Sequence, residues 1–277
     1  MPFVESNRAQ IHYALEGPAG RPALVLSNSL GTDSSMWDPQ ISEFTKSFRV
    51  LRYDTRGHGK SLVTPGPYSP EQLANDVLAL ADRLELERFH FCGLSMGGMT
   101  GMWLAANVRQ RLNKVVICSA SAKFGTPETW STRIETVRKQ GMMPVAAATI
   151  ERWFSPAFRA QNPSKAANIR KMVESVNPEG YISCCAAVRD FDFREQLGNI
   201  HTPTLVISGV HDPATTPADG RFLAEHIPGA RYVELNAAHL SNIEDADRFT
   251  QEVSGFLDSW GISRPWLSST SLVLPQS

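Results

Sequence analysis

Four cysteines in 277 residues are too few, and too awkwardly spaced, for the structures cysteines most often build. Cys92, Cys118, Cys184 and Cys185 contain no C-x-x-C pair, and the adjacent Cys184 and Cys185 suit neither a routine disulfide nor a zinc site. Buried free thiols in a reducing compartment are expected instead, with no metal. An excess of one charge is also missing. The chain has 27 Lys and Arg against 28 Asp and Glu, a net charge of -1, so there is no electrostatic case for nucleic acid or an anionic membrane as partner. No apolar run is long enough to span a bilayer. The first ten residues, MPFVESNRAQ, lack a basic stretch followed by an apolar one, so no secretory signal is expected and a cytoplasmic protein is.

What the chain does have is apolar material. Hydrophobic residues make up 42% and charged residues 20%, enough to bury a sizeable core and to set disorder aside. Short apolar runs bounded by Gly and Pro read as strands: IHYAL, Ala23 to Ser27 and Arg49 to Asp54. A helix follows, with Ser69 as its cap, Pro70 at its first position and Gln72 completing a capping box. Leu73, Val77, Leu80 and Leu84 fall on one face of it. Phe89 to Gly93 is another strand, with a helix after Ser95 through Ala106, and Lys114 to Ala120 a further strand. Toward the C-terminus come a strand at Thr204 to Gly209, a helix at about 218–225, a strand at Arg231 to Leu235 and an amphipathic helix from about Ala246 to Trp260. Strands alternating with helices predict an α/β fold with a mostly parallel sheet.

Residues 123–196 break this rhythm. They contain no convincing strand and several helical segments punctuated by Pro127, Pro144, Pro156, Pro163 and Pro178. The expected organisation is a core split into 1–122 and 197–262, a helical insertion over 123–196 and a tail over 263–277. Between Lys123 and Glu195, eleven Lys and Arg face eight Asp and Glu, a net +3, and the plain reading of that excess is a solvated helical face. The tail shows no periodicity, and no function is assigned to it.

One stretch carries chemistry: FHFCGLSMGGMT, Phe89 to Thr100. Gly93, Ser95 and Gly97 form a G-x-S-x-G pattern at a strand-to-helix junction. Such a turn strains the serine backbone and lifts its hydroxyl clear of the sheet. Side chains at 93 or 97 would collide with a neighbouring strand or helix, hence glycine. A serine nucleophile needs a base, and the base needs an orienting acid. Asp212 stands just beyond the strand TLVISG, and His239 just beyond RYVEL. Both would emerge at the carboxyl ends of parallel strands, where Ser95 also sits and where open α/β sheets bind ligands. The other histidines fit less well: His90 lies inside a strand, His211 precedes the acid, and His12, His201 and His226 lie in or beside ordinary elements. His58, on the RGHGKS loop, stays a minor candidate. An oxyanion hole needs two N–H donors. Met96, next to the serine, and Leu30, in the loop after ALVLS, are the candidates.

These words together (LSNSLGTDSSMWDPQ, RYDTRGHGKS, HFCGLSMGGMTGMWLA, SGVHDPATTP and AAHLSNIE) resemble the α/β-hydrolase superfamily and, more narrowly, the 3-oxoadipate enol-lactonases of aromatic-acid catabolism. The superfamily usually carries His-Gly where this chain has Asn28-Ser29. The enol-lactonase group tends to show Asn-Ser-Leu-Gly ahead of a Met-Trp-Asp run, here Met36-Trp37-Asp38. The resemblance implies an α/β-hydrolase fold with a helical cap at the insertion. It also implies water addition to a small anionic lactone with a carboxymethyl arm, without cofactor. For the carboxylate of that arm, Arg133 is the expected partner and Trp130, three residues earlier on the same helix face, the expected packing surface, with Arg189 and Arg194 in reserve. A perhydrolase or carboxylesterase of the same fold, and a non-catalytic ligand-binding member, are the alternatives.

Overall fold

The structure, a computed structural model, describes residues 2–258. The 263–277 tail and the end of the final helix at Trp260 lie outside the described residues.

Eight strands form one sheet: β1 (Phe3–Ser6), β2 (Ala9–Glu16), β3 (Ala23–Ser27), β4 (Arg49–Tyr53), β5 (Phe89–Leu94), β6 (Leu112–Cys118), β7 (Thr204–Gly209) and β8 (Arg231–Leu235). Their order is β1-β2-β4-β3-β5-β6-β7-β8. The first two strands run antiparallel and the rest parallel. β3, β5 and β7 are buried along their whole length, which explains why their sequences are near-continuous apolar runs rather than alternating ones. The edge strand β8 is mostly half-buried or exposed. β1 was not expected from sequence. It is four residues long, too short to show a period, and it is held as a hairpin by Asn7 and Arg8, both at positive φ (41° and 65°).

The helices are α1 (Asp38–Ser47), α2 (Pro70–Arg83), α3 (Met96–Asn107), α4 (Pro127–Gln140), α5 (Met143–Trp153), α6 (Pro156–Gln161), α7 (Pro163–Glu174), α8 (Pro178–Arg189), α9 (Pro217–His226), α10 (Ser241–Glu244) and α11 (Ala246–Leu257). Among the described residues none is long and apolar enough to cross a membrane. The Ser69 hydroxyl caps α2 by accepting from Gln72 N–H at 3.1 Å. The return bond of a capping box, from the Gln72 side chain, is not formed among the described residues. The five prolines of the insertion do not interrupt helices. Each stands in the first turn of one of α4 to α8, where a missing N–H costs nothing. These helices lie between β6 and β7. One of them, α8, rests on the loop after β4 with almost no gap: a Cβ on Gly180 would stand 2.2 Å from Gly57 O.

Strand register places the functional loops. Ser27 is level with Gly93, Leu94 with Cys118, Cys118 with Ile207, and Gly209 with Leu235. The loops after β3, β5, β7 and β8 therefore leave the same edge of the sheet, and these are the loops that carry Leu30, Ser95, Asp212 and His239.

The turn after β5 leaves no room for side chains. A Cβ on Gly93 would lie 2.1 Å from Gly97 O, one on Gly97 2.2 Å from Ser27 O, and one on Gly98 2.7 Å from the Ala120 Cβ. Two of these contacts are with backbone, which cannot rotate away. Gly97→Val should therefore destabilise the fold as well as impair the site. Overpacking costs about 1–3 kcal/mol, a loss on the order of 5 °C in Tm for a chain of this size. A soluble Gly97→Val protein that melts with the wild type would show that the turn is not crowded.

Candidate active site

Ser95 sits between β5 and α3 with φ 58° and ψ -110°, a conformation that a residue with a side chain holds only when its surroundings impose it. The surroundings here are hydrogen bonds on both sides: Ser95 N–H donates to Cys118 O at 2.8 Å, and Ser95 O accepts from Met99 N–H at 3.0 Å. The half-buried side chain is carried at the start of a twelve-residue helix, whose N-terminal end favours negative charge.

Asp212 and His239 are buried and bonded, Nδ1 to Oδ2 at 2.8 Å. Every acceptor direction of the carboxylate is used. Oδ2 also takes the Thr215 hydroxyl at 2.7 Å, and Oδ1 takes the N–H groups of Ala214 and Thr215 at 2.7 and 3.1 Å. Burial pushes the Asp212 carboxyl upward, but the His239 ring and the Thr215 bonds outweigh it and hold it below the ordinary carboxylate value. The pair is therefore fixed in the arrangement that leaves His239 Nε2 facing away from the acid. Trp153 of α5 stacks on the imidazole, centroids 5.9 Å apart and 24° between planes, and its carbonyl accepts from Leu240 N–H at 3.1 Å.

The loop after β3 is tied down residue by residue. Asn28 bridges Tyr53 O and the Trp37 indole N–H. Ser29 N–H points at Met36 Sδ, Gly31 N–H donates to His58 Nε2, and Thr32 N–H donates to Ser29 O. Within this run Leu30 N–H has no protein acceptor among the described residues, and neither has Met96 N–H. They are the two N–H groups singled out from the sequence.

Ser29, Leu30, Ser95, Met96, Thr215 and His239 line one cavity of about 340 Å³, together with Trp130, Arg133, Arg152 and Trp153 from α4 and α5. Ser95 Oγ makes no hydrogen bond to His239 among the described residues, and the two meet as walls of this cavity. Arg133 lies over the Trp130 ring, Cζ 4.8 Å from its centroid, and the Trp130 indole N–H is taken by Phe124 O. Arg189 and Arg194 are not in the cavity. They are tied to Asp190 and Asp192, their near neighbours in sequence, on the outer surface. A second cationic side chain does line it, Arg152, which sequence reasoning missed. Burial and then the charge of Arg133 push its guanidinium pKa down, and its Nε has no partner. Neither Arg133 nor Arg152 forms an ion pair among the described residues. Thr215 was also missed, although the Asp-Pro-x-Thr spacing of an Asx-type turn was there to be read.

The remaining histidines serve elsewhere. His90 is buried in β5, where burial and then Lys114 push its pKa down to about 4. His12 pairs with Asp54, and His211 and His226 are exposed. Among the described residues no three His, Cys, Asp or Glu side chains are grouped as a metal ion would require.

Two curated relatives from Acinetobacter baylyi, 3-oxoadipate enol-lactonase 2 and 3-oxoadipate enol-lactonase 1, are 44% and 40% identical to this chain, over 89% and 88% of its length and 92% of each relative. The crystal structure of the enol-lactonase from Burkholderia xenovorans LB400 superposes with a TM-score of 0.91 at 49% identity, covering 92% of this chain and 99% of that one. The alpha/beta hydrolase fold model matches residues 22–246. That span runs from the strand before Leu30 to beyond His239, and with it the chain belongs to the alpha/beta hydrolase family.

Proposed function

We propose that the protein hydrolyses 3-oxoadipate enol-lactone to 3-oxoadipate, with Ser95 as nucleophile, His239 as base and Asp212 as its orienting acid. The observation that carries this reading is the cavity itself. The same cavity is lined by an acyl-transfer constellation and by two arginines without a carboxylate ion pair among the described residues, so it suits a small ester bearing a negative charge. The names of relatives at 40% and 44% identity point to the same lactone. Residues 123–196 act as a cap over a core formed by 1–122 and 197–262. Four free, buried cysteines agree with a reducing, cytoplasmic setting.

Catalysis then follows from the geometry. Ser95 Oγ attacks the lactone carbonyl as its proton passes to His239 Nε2. Asp212 keeps the other ring proton on Nδ1 and stabilises the imidazolium. The oxyanion is met by the free N–H groups of Leu30 and Met96. The ring C–O bond breaks and the enol oxygen takes the proton from His239. The enol relaxes to the ketone, which makes it a good leaving group. Water, deprotonated by His239, then cleaves the acyl–serine bond, releasing the keto-diacid and the Ser95 hydroxyl. Arg133 and Arg152 hold the carboxymethyl group throughout, because a carboxylate taken out of water must be paired. A perhydrolase or simple carboxylesterase would need no such pair of cations.

Ser95→Ala should leave the fold intact and remove lactone hydrolysis, by about 10⁶-fold in kcat if the triad acts as in other serine hydrolases. A folded Ser95→Ala protein keeping a tenth of wild-type activity would exclude Ser95 as nucleophile. Arg133→Met should raise KM for the acidic lactone by about 10- to 100-fold, the worth of one charge-assisted contact, with little change on a neutral ester. Arg152→Met should do the same. Equal effects on both substrates, or none on either, would remove the arginines from carboxylate recognition. Wild-type enzyme that cleaves neutral esters faster than the enol-lactone would favour the esterase reading.

A further inference from the structure

His58 is used by none of the steps above, yet it is buried at 1% exposure and reaches the site through one bond. Its Nε2 accepts from Gly31 N–H at 3.0 Å. Its Nδ1 lies 3.3 Å from Arg56 O, and the Cys184 thiol of α8 packs 3.9 Å from the same atom. An imidazole that accepts at Nε2 and donates at Nδ1 is neutral, and burial pushes the His58 pKa down to about 4, so it stays neutral under ordinary conditions.

The bond falls next to the N–H that the proposed mechanism needs. In a trans peptide, C=O and N–H point in opposite directions. Ser29 O is held by both the N–H and the hydroxyl of Thr32, which points Leu30 N–H the other way. The next peptide, Leu30 to Gly31, has no such natural anchor. Gly31 stands at φ +89°, where glycine is the tolerant residue and the backbone is easiest to rotate. Without an acceptor its buried N–H would be unsatisfied, and rotation of that peptide about ψ of Leu30 and φ of Gly31 would loosen the loop from which the Leu30 N–H projects.

We propose that His58 is a positioning residue for the oxyanion hole: by accepting from Gly31 N–H, it locks the Leu30–Gly31 peptide and steadies the loop that presents Leu30 N–H to the reacting carbonyl. The inference rests on the reading of Leu30 as an oxyanion donor. The same loop carries Gly57, on which α8 sits, so the helical insertion and the oxyanion donor share one support.

His58→Leu removes the acceptor, and His58→Gln puts an amide oxygen near the place of Nε2. On both the enol-lactone and p-nitrophenyl acetate, His58→Leu should lower kcat by about 10- to 100-fold with KM within about twofold, a fraction of the 10²- to 10³-fold worth of an oxyanion donor. His58→Gln should recover most of that loss. Cys184→Ala trims the same buried cluster without touching Gly31 and should keep wild-type kcat. If His58→Leu and His58→Gln lose activity equally, or if Cys184→Ala loses as much as His58→Leu, the role is packing and the proposal fails. Should the Leu variant not fold, the wild type still decides: ¹⁵N-histidine spectra at neutral pH must show the His58 proton on Nδ1, and a proton on Nε2 overturns the proposal. Activity on p-nitrophenyl acetate but not on the lactone would sink the substrate assignment alone. Unchanged kcat in His58→Leu, beside a dead Ser95→Ala, would sink the His58 assignment alone.

Discussion

The contact on which the site depends is the one between Gly97 and Ser27. A helix start and a strand end approach so closely that a single added carbon would stand 2.2 Å from a carbonyl oxygen. That approach forces the chain to turn within one residue, and the residue is Ser95 at φ 58°. A looser junction would let the serine relax into an ordinary conformation and drop its hydroxyl toward the sheet. Strain of this kind costs on the order of 1–3 kcal/mol and persists only where the neighbourhood over-determines it. Here the bonds to Cys118 O and from Met99 N–H, and the fully buried β3 and β5, supply that determination.

Around this fixed point the other groups are held by tertiary ties. Gln40 and Asn242 join α1 to the loop after His239, and Asn242 also reaches Met36 O. Glu244 accepts from Ala238 N–H on the His239 side and from Ser155 N–H on the insertion side. The segment around His239 is thus stitched both to the stretch after β3 and to the helices of the insertion. Asn28, which with Ser29 departs from the His-Gly habit of the superfamily, accepts a hydrogen bond from the Trp37 indole N–H. The departure is a different way of bracing the same loop.

The parts of the site legible in the sequence were those set by local order. Ser95, Asp212 and His239 each stand within a few residues of the end of a parallel strand, and a parallel sheet brings the ends of its strands to one edge whatever else the chain does. Leu30 and Met96 are placed at that edge for the same reason. What could not be read depends on docking. Nothing in the pattern of α5 says that Trp153 will lie on His239 or that Arg152 will enter the cavity, because those facts belong to how the insertion sits on the sheet. His58 was weighed as a base, when the bond from Gly31 makes it an acceptor for backbone. Arg189 and Arg194 are a different failure. The acids that neutralise them, Asp190 and Asp192, stood one and two residues away in plain view.

That failure also shows why the net +3 of the insertion was a poor guide. Most of its cations are spent locally: Lys123 on Asp192, Arg138 and Lys139 on Glu135, Arg159 on Glu151, Arg170 on Glu174. Such surface pairs are worth about 0–1 kcal/mol and bind nothing further. Of the cations without an acid, Lys171 is exposed, Lys165 lies over the Phe158 ring, and Arg133 and Arg152 face the cavity. These two disfavour each other, since the charge of Arg133 helps depress the pKa of Arg152. Two like charges kept together, each half-buried and without an ion pair among the described residues, favour an anion: a carboxylate set between them would relieve the repulsion. A neutral ester offers no such relief. In the proposed reading, selectivity for an acidic lactone comes from the position of these two arginines and not from the charge count.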